Sequence, residues 1–364
     1  MKKFIANSLT RRSAAAVALL SVAAVSFSQV GWAGKVDTAA TNYLKEVPAV
    51  GISVAVIQKG KVLLAKGYGF ADRENKKPVQ ATTLFRLGSI SKPVTAVMAM
   101  KLVEEKKLNL DQSISKWVPE YPASFPPITL RQILSHTSGI RHYKANDPFS
   151  RVTKFYSSSD TLKELFKDPL LFAPGDKYSY STHAYTIAAR AIETAAGTDF
   201  ASAVRNSILK PADGELDCEL LTDSKPNRTQ LYTLVGNGAV LEKVREDNSW
   251  KFAGGGFEST ARGLGKWASA VHERKILSPD SLTAMWRPMP LNNGSFTTYG
   301  LGWDVGTPDR VGHNGAQQGC RTAMIIDRTT GIVVTVMCNS GGAPRIDDLA
   351  KTVLEAVTQA LKGK

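Results

Sequence analysis

A serine and a lysine three residues apart are the strongest chemical signal in this sequence. Ser89 and Lys92 stand just before Pro93 and a long apolar run. Because proline fits only in the first turn of a helix, we expect the serine at a helix N-terminus and the lysine one turn along. A lysine whose pKa is lowered by burial can accept the proton of a serine hydroxyl. The pair therefore predicts a serine nucleophile and a lysine base, beside backbone N–H groups that stabilise negative charge.

The Ser-x-x-Lys spacing alone is not specific for catalysis. It recurs at Ser113 and Lys116 and again at Ser207 and Lys210. Neither of these copies can open a long helix, since a proline follows each within three residues. The alternative for Ser89 is a helix-capping serine beside a solvated lysine. Residues elsewhere in the chain are needed to separate the two interpretations.

Tyr180 is the candidate for a proton relay to a leaving group. It follows a Pro-Gly turn and precedes a helical pattern, so we expect it on a loop. A tyrosine hydroxyl near a lysine can act as a general acid or base. Tyr178 and Tyr156 are competing candidates, and the alternative for each is a packed aromatic ring with a solvated hydroxyl.

A glycine-rich strand supplies the third candidate segment, His313-Asn314-Gly315-Ala316. Its glycines are expected to let a substrate approach the backbone closely. The N–H of Ala316 can join that of Ser89 to form an oxyanion hole. His313 is a candidate either to orient Tyr180 or to bind a substrate carboxylate, and the alternative is a purely structural histidine.

The first 33 residues resemble an export signal. Basic residues precede an apolar run over residues 14–30, and Gly31-Trp32-Ala33 forms a small-x-small cleavage site. The Arg11-Arg12 pair leaves twin-arginine export open beside the Sec route. The alternative is a retained membrane anchor. We expect a periplasmic or secreted protein without a stable membrane span after processing.

Composition limits the classes of partner. The 364-residue chain is 43% apolar and carries a formal net charge of +14. Its basic residues are scattered and form no aromatic-basic stripe, which argues against nucleic acid and leaves an acidic cell-wall polymer open. The sequence contains no Gly-x-Ser-x-Gly motif, clustered zinc-ligand motif or phosphate-binding loop. We expect neither a metal nor an organic cofactor.

The hydrophobic patterns predict an α+β fold. Alternating strand patterns occur near both ends of the chain, and about two hundred mostly helical residues lie between them. The prediction is an antiparallel β-sheet flanked by N- and C-terminal helices, with an inserted helical domain. Residues 34–88 and 290–364 are assigned to the sheet domain and residues 89–289 to the helical domain, with the active site at their interface.

The three cysteines do not have the spacing of a zinc site. Cys320 and Cys338 flank a predicted hairpin with its turn at residues 327–331. That turn places the two cysteines opposite each other, so a cross-strand disulfide and two buried free thiols both remain open.

Taken together, the three segments resemble the serine β-lactamase and penicillin-binding protein superfamily in its class C-like branch. That family has Ser-x-x-Lys, then Tyr-x-Asn, then a Lys-Thr-Gly or His-x-Gly triplet on a strand. The matching residues here are Ser89–Lys92, Tyr180-Ser181-Thr182 and His313-Asn314-Gly315. The flanking segment Leu134–Ile140 agrees with this family, and Asp247–Phe257, Met285-Trp286 and Cys338-Asn339 make the likeness nearest to the mitochondrial β-lactamase-like serine protease and its bacterial relatives.

The resemblance implies a β-lactamase/transpeptidase-like fold and a hydrolase that cleaves amide or ester bonds through an acyl-serine, either a D-Ala-D-Ala carboxypeptidase-like peptidase or an esterase. It implies that His313, Asn314, Gly315 and Thr182 bind the substrate, a small molecule or peptide that is cell-wall derived in some relatives. Two departures from the family pattern, Thr182 for asparagine and His313 for lysine, argue against efficient β-lactam hydrolysis. A class C-like β-lactamase remains the alternative enzyme, and a non-catalytic binder of peptides or cell-wall fragments remains the alternative of another class. The sequence does not determine the oligomeric state.

Overall fold

The computed structural model describes residues 31–149 and 153–362. Its helices are α1 (31–46), α2 (Ser91–Glu104), α3 (Leu130–Leu134), α4 (Ser158–Leu165), α5 (Thr182–Ala196), α6 (Phe200–Ser207), α7 (Phe252–Gly255), α8 (Ala261–His272), α9 (Pro279–Met285) and α10 (Ile346–Lys362). Short 3-10 turns cover Gly88–Ile90, Ile114–Lys116, Lys210–Ala212 and Ser249–Lys251. The strands are β1 (Gly51–Gln58), β2 (Lys61–Asp72), β3 (Lys77–Pro78), β4 (Phe85–Arg86), β5 (Leu216–Cys218), β6 (Tyr232–Val235), β7 (Gly238–Leu241), β8 (Phe257–Ser259), β9 (Asp304–Thr307), β10 (Arg310–Gln317), β11 (Cys320–Asp327), β12 (Ile332–Cys338) and β13 (Ser340–Gly341).

Strands from the two ends of the described chain form one seven-stranded antiparallel sheet. Their order is β3-β2-β1-β12-β11-β10-β9. The alternating residues Ile52, Val54 and Val56 of β1 pack with α1 and α10 on one face. Ala55 and Ile57 point to the opposite face, which carries α8. The α+β prediction, with terminal helices flanking an antiparallel sheet, is therefore confirmed.

The two smaller sheets, β13-β6-β7 and β4-β8-β5, and the remaining helices lie mainly between the two halves of the large sheet in sequence. Helix α8 packs directly on the large sheet, although it falls within residues 89–289. The hydroxyl of Thr335 on β12 donates to the carbonyl of Ala261 at 2.7 Å. Gly265 leaves room for Ile57, whose Cδ1 would lie 2.3 Å from an added Cβ. The division into two domains at residues 88 and 290 stays a prediction.

Helix α2 is buried on nearly every side. Its residues from Ser91 to Met100 are all buried, and it contacts α5 and α7. An apolar helix of this kind forms because every face packs against the protein rather than against water. The 3-10 turn Gly88–Ile90 leads directly into it, so Ser89 is anchored to one of the most rigidly packed elements of the fold.

The cross-strand cysteine pairing expected from the hairpin is wrong by one residue. Arg321, not Cys320, lies opposite Cys338, because the connection is a four-residue loop after Asp327 rather than a five-residue turn. A shift of one residue turns neighbouring side chains to opposite faces of a sheet. Both cysteines are buried free thiols, and the Sγ of Cys320 lies 3.0 Å from the carbonyl oxygen of Arg86.

The predicted export signal, residues 1–33, lies outside the described residues except for its last three. These three residues begin α1, and the side chain of Trp32 is buried against the sheet with 5% of its surface exposed. Within the described part of the chain, none of the helices has the length and apolar character needed to span a bilayer.

Candidate active site

Ser89 and Lys92 lie together in the fold. The Lys92 Nζ is 3.1 Å from the Ser89 Oγ, 3.2 Å from the Thr182 Oγ1 and 2.7 Å from the carbonyl oxygen of Gly254. The lysine side chain is completely buried. Burial, followed by the positive charge of Lys251, holds the pKa of Lys92 well below its usual range. A neutral amine fixed by three polar contacts is a suitable acceptor for the Ser89 proton.

Tyr180 lies in the same cleft as Ser89. The Ser89 side chain acts on the Tyr180 phenol, and the Lys92 Nζ lies 4.6 Å from the centre of the Tyr180 ring. Burial raises the pKa of Tyr180, so the phenol keeps its proton at neutral pH and can donate it. Of its two competitors, Tyr178 is half-exposed at the rim of the cleft, whereas Tyr156 lines a separate apolar cavity.

The start of α5 and a preceding loop fix the position of Tyr180. The Ser181 side chain caps α5 by accepting a hydrogen bond from the Ala184 N–H at 3.0 Å. The Ser181 N–H in turn donates to the Nδ1 of His136 at 3.1 Å, and the His136 ring lies 4.3 Å from the Tyr180 ring between centroids. The Ser179 N–H donates to the His136 carbonyl at 2.9 Å.

His136 is the positioning residue that the sequence analysis missed. It appeared there only within the flanking family segment, and nothing in its local pattern pointed to Tyr180. It is fully buried, and burial holds its pKa well below its usual range, so the ring is neutral. A neutral ring that accepts at Nδ1 carries its proton on Nε2. His142 acts similarly on the next residue, accepting from the Thr182 N–H at 3.0 Å.

Two glycines bring β10 against the turn that carries Ser89. A Cβ on Gly315 would lie 1.9 Å from the Leu87 carbonyl oxygen, and a Cβ on Gly88 would lie 2.7 Å from the Ala316 nitrogen. The close approach expected at this strand is therefore made first by the protein backbone rather than by a substrate. It places the Ala316 nitrogen beside the Ser89 turn, where the two N–H groups of a candidate oxyanion hole must converge.

His313 is directed towards a tyrosine other than the one expected. Its Nε2 lies 2.8 Å from the Tyr299 hydroxyl and its Nδ1 lies 2.6 Å from the Asn314 carbonyl oxygen. The rings of His313 and Tyr180 are 6.3 Å apart between centroids, so any effect of His313 on Tyr180 is indirect. Burial lowers the pKa of His313 to about 3, and a neutral imidazole offers hydrogen bonds but no charge to a substrate.

A cleft of about 570 Å³ opens above these residues. The cleft is bounded by the candidate catalytic residues, the outer face of β10 and the start of α10. It is lined by Ser89, Tyr178, Tyr180, Thr298, Tyr299, Asp304, His313, Asn314, Gly315, Ala316, Arg321, Ala343, Pro344, Arg345, Ile346 and Asp347. Asn314 and Ala316 are exposed to the cleft side of the strand, whereas Thr182 lies deeper, on Lys92.

The other Ser-x-x-Lys copies do not form comparable sites. Lys116 is exposed and donates to Gln112 at 3.3 Å, while Ser113 caps a short 3-10 turn. Ser207 and Lys210 are both exposed near the end of α6. Across residues 31–149 and 153–362, no group of three or more metal-ligating side chains is clustered. The burial that lowers the Lys92 pKa is thus a property of the first pair.

Comparison with protein-family profiles matches residues 36–358 to the family described as Beta-lactamase. The chain belongs to the Beta-lactamase family. This match covers both halves of the large sheet and all of the segment between them. It confirms the resemblance inferred from the motifs, and it identifies the chain as a serine hydrolase of this family.

The individual relatives have low sequence identity to this chain but match most of its length. The chain is 26% identical to the human mitochondrial serine beta-lactamase-like protein LACTB, over 81% of this chain and 74% of that protein. It is 27% identical to esterase EstB of Burkholderia gladioli, over 79% of this chain and 82% of the esterase. The structure of D-amino acid amidase from Ochrobactrum anthropi SV3, complexed with L-phenylalanine amide, superposes with a TM-score of 0.77 at 24% identity, covering 90% of this chain and 99% of the amidase. The last comparison shows a shared fold.

Proposed function

We propose that this protein is an exported serine hydrolase that cleaves amide or ester bonds through an acyl-enzyme on Ser89. The observation that carries the proposal is the arrangement around one hydroxyl, with the buried Lys92 amine 3.1 Å from the Ser89 oxygen and the Tyr180 side chain beside both in the same cleft. A proton acceptor and a proton donor beside one serine are what acyl transfer requires.

In the acylation step, the Ser89 oxygen attacks the substrate carbonyl and its proton passes to the Lys92 amine. The negative charge on the former carbonyl oxygen is stabilised by the N–H groups of Ser89 and Ala316. Tyr180 donates its phenolic proton to the departing nitrogen or oxygen and regains a proton from the Lys92 ammonium. The ester to Ser89 forms, the scissile bond breaks, and no net charge remains in the site.

In the deacylation step, water replaces the leaving group and reverses these transfers. The raised pKa of Tyr180 disfavours a phenolate that would act as the final base. We therefore assign Tyr180 the role of a relay, which takes the proton of water as its own proton passes to the neutral amine of Lys92. Ser89 then leaves as an alcohol, and the acid product is released.

The substrate class proposed is a small ester, amide or peptide. The relatives include an esterase, a protein named penicillin-binding protein 4*, and an amidase complexed with an amino acid amide. The cleft over Ser89 is of a size for such molecules, and Asn314 offers it hydrogen bonds, whereas Thr182 lies below the cleft on the Lys92 amine. His313 is proposed to hold Tyr299 and Asn314 in place and to face the substrate as a neutral group.

The decisive experiment is acyl-enzyme trapping with two probes. The protein is incubated with a fluorophosphonate and, separately, with a fluorescent penicillin, and the intact mass is read. Ser89→Ala is the test variant and Ser113→Ala is the matched control, because Ser113 begins the same Ser-Ile-Ser-Lys tetrapeptide. We expect labelling of the wild type and of Ser113→Ala, and none of Ser89→Ala.

The pattern of labelling separates the candidate activities. Labelling by both probes supports a penicillin-binding peptidase, and labelling by the fluorophosphonate alone supports an esterase or protease with a reshaped pocket. Rapid release of the penicillin with nitrocefin turnover faster than ester turnover would support the β-lactamase. Absence of labelling by either probe would contradict the hydrolase mechanism and favour a binder of peptides or cell-wall fragments.

Export is part of the same proposal and has its own test. Cleavage after Ala33 would leave a protein that begins at Gly34 and lacks the buried Trp32. We expect the mature protein in a periplasmic or secreted fraction with its N-terminus at Gly34. A mature protein that retains Trp32 would place the cleavage upstream, and a protein that stays in the cytosolic fraction would contradict export.

A further inference from the structure

Lys251 is a buried cation that the proposed reaction does not use. It ends the 3-10 turn before α7, and only 7% of its surface is exposed. Its Nζ lies 4.8 Å from the centre of the Trp250 ring and 5.3 Å from that of Tyr143. In the part of the chain that the structure describes, no carboxylate forms an ion pair with it. Aromatic faces stabilise an ammonium only in part, so this group is suited to receive an anion.

Gln317 is a second polar group at this position, and its side chain has no hydrogen-bond partner among the described residues. Both the nitrogen and the oxygen of its side-chain amide are buried, and neither makes a hydrogen bond with the described residues. A buried amide normally has its hydrogen bonds satisfied, and one that does not is suited to bind a ligand. Gln317 follows Ala316 on β10, so its amide is held at a fixed distance from the candidate oxyanion hole.

The side chains of Lys251 and Gln317 converge over Gly255. A Cβ placed on this glycine would lie 3.5 Å from the Lys251 Cδ and 3.6 Å from the Gln317 Oε1. The preceding residue, Gly254, is the one whose carbonyl holds Lys92 at 2.7 Å. The pair therefore lies one residue from a contact of Lys92. It does not line the 570 Å³ cleft that contains Tyr180, the donor to the leaving group.

We propose that Lys251 and Gln317 form a subsite for a carboxylate carried by the acyl part of the substrate. This inference rests on the proposed function. The Lys251 ammonium and the Gln317 amide N–H would each donate to the carboxylate, and the Gln317 amide oxygen would accept from an N–H of the same acyl chain. In this proposal Tyr180 serves the leaving group from the cleft, and the acyl group is directed to Lys251 and Gln317, which do not line that cleft. The subsite makes the enzyme selective for acidic acyl groups.

The test compares two substrates that differ only in charge. They are the mono-p-nitrophenyl ester of adipic acid, whose far carboxyl group is ionised, and the same compound with that carboxyl methylated. The readout is the ratio of their kcat/KM values, which cancels any general effect of a variant on the chemical step. We expect the wild type to prefer the anionic substrate and Lys251→Met to lower the ratio about tenfold or more, mainly through KM.

Three further variants make the result specific. Lys251→Arg keeps the charge and should retain most of the preference, whereas Gln317→Leu should lower the ratio less than Lys251→Met does. Lys45→Met removes an exposed lysine of α1 and should leave the ratio at the wild-type value. If Lys251→Met does not fold, the wild-type ratio and Gln317→Leu provide the test.

The outcomes distinguish this inference from the proposed function. A wild-type ratio at or below one, or a ratio that is the same in Lys251→Met, overturns the subsite while fluorophosphonate labelling of Ser89 leaves the hydrolase standing. Loss of labelling at Ser89 in the wild type would instead overturn the proposed function on which the subsite depends.

Discussion

Among positions without a reactive side chain, Gly315 is where we expect a substitution to lower the activity most. In Gly315→Ala, the new Cβ would lie 1.9 Å from the Leu87 carbonyl oxygen and 2.2 Å from the Thr322 Oγ1. An ordinary carbon–oxygen contact is about 3.3 Å, so β10 and the Ser89 turn must separate by about 1.4 Å. That movement takes the Ala316 N–H away from the position where the oxyanion forms.

The expected loss of activity follows from this displacement. Removing one oxyanion donor costs about 10²–10³ in kcat, and a misplacement of about 1 Å in a catalytic group has a similar effect. We therefore expect kcat/KM for a p-nitrophenyl ester to fall about 10²–10³-fold in Gly315→Ala. Overpacking should lower the free energy of unfolding by about 1–3 kcal/mol, which leaves a folded protein whose rate can be measured.

The assay combines ester hydrolysis, the rate of fluorophosphonate labelling and thermal unfolding. Gly238→Ala is the control, because the atom nearest to a Cβ added at Gly238 is 4.0 Å away. Thr322→Val is a milder companion that removes the 2.7 Å hydrogen bond to the Leu87 carbonyl, and it should slow the reaction about fivefold. A folded Gly315→Ala variant with a rate within about threefold of wild type would refute the role assigned to the Ala316 N–H.

Three other changes have predictable outcomes. Thr182→Val removes one contact of the Lys92 amine but keeps that of Gly254, so kcat should fall about tenfold or less, measured by ester hydrolysis. The proposed mechanism requires the neutral amine, so kcat/KM should rise with pH through the lowered pKa of Lys92. Lys251→Met removes a positive charge that lowers this pKa. The acid limb of the profile of kcat/KM against pH should therefore move to higher pH in that variant. The three cysteines are free and buried, so a thiol reagent should react with them only after unfolding and a reductant should leave the melting temperature unchanged.

The residues proposed to react were accessible to sequence analysis because each lies beside a strong local signal. Ser89 and Lys92 lie within one turn of a helix, and Tyr180 lies next to a helix cap. Sequence patterns for helix starts therefore predict where these three side chains lie. The large sheet was also predictable, since apolar residues such as Ile52, Val54 and Val56 alternate along its strand sequences and these strands lie near both ends of the described chain. Those patterns depend on neighbours two to four residues apart.

The supporting contacts could not be predicted in the same way. The partner of Lys92 at Gly254 is 162 residues away, and the contact of Ser181 with His136 spans 45 residues. No local pattern specifies such distances. The cysteine register failed for a related reason, because the length of one loop determines which side chains face each other and the sequence permits more than one length.

Burial shifts the pKa values of the two proposed proton carriers, Lys92 and Tyr180, in opposite directions. This explains why the site combines a lysine with a tyrosine. Burial holds the pKa of Lys92 well below its usual range and raises that of Tyr180, so it favours the neutral form of both groups. A carboxylate beside Lys92 would favour the ammonium and remove the base. The carboxylate of Glu219 is also buried, but it is paired with Arg86 and Arg245 rather than with Lys92. The site thus depends on keeping acids away from the lysine, which predicts that a carboxylate introduced at position 182 would abolish the reaction more completely than a valine there.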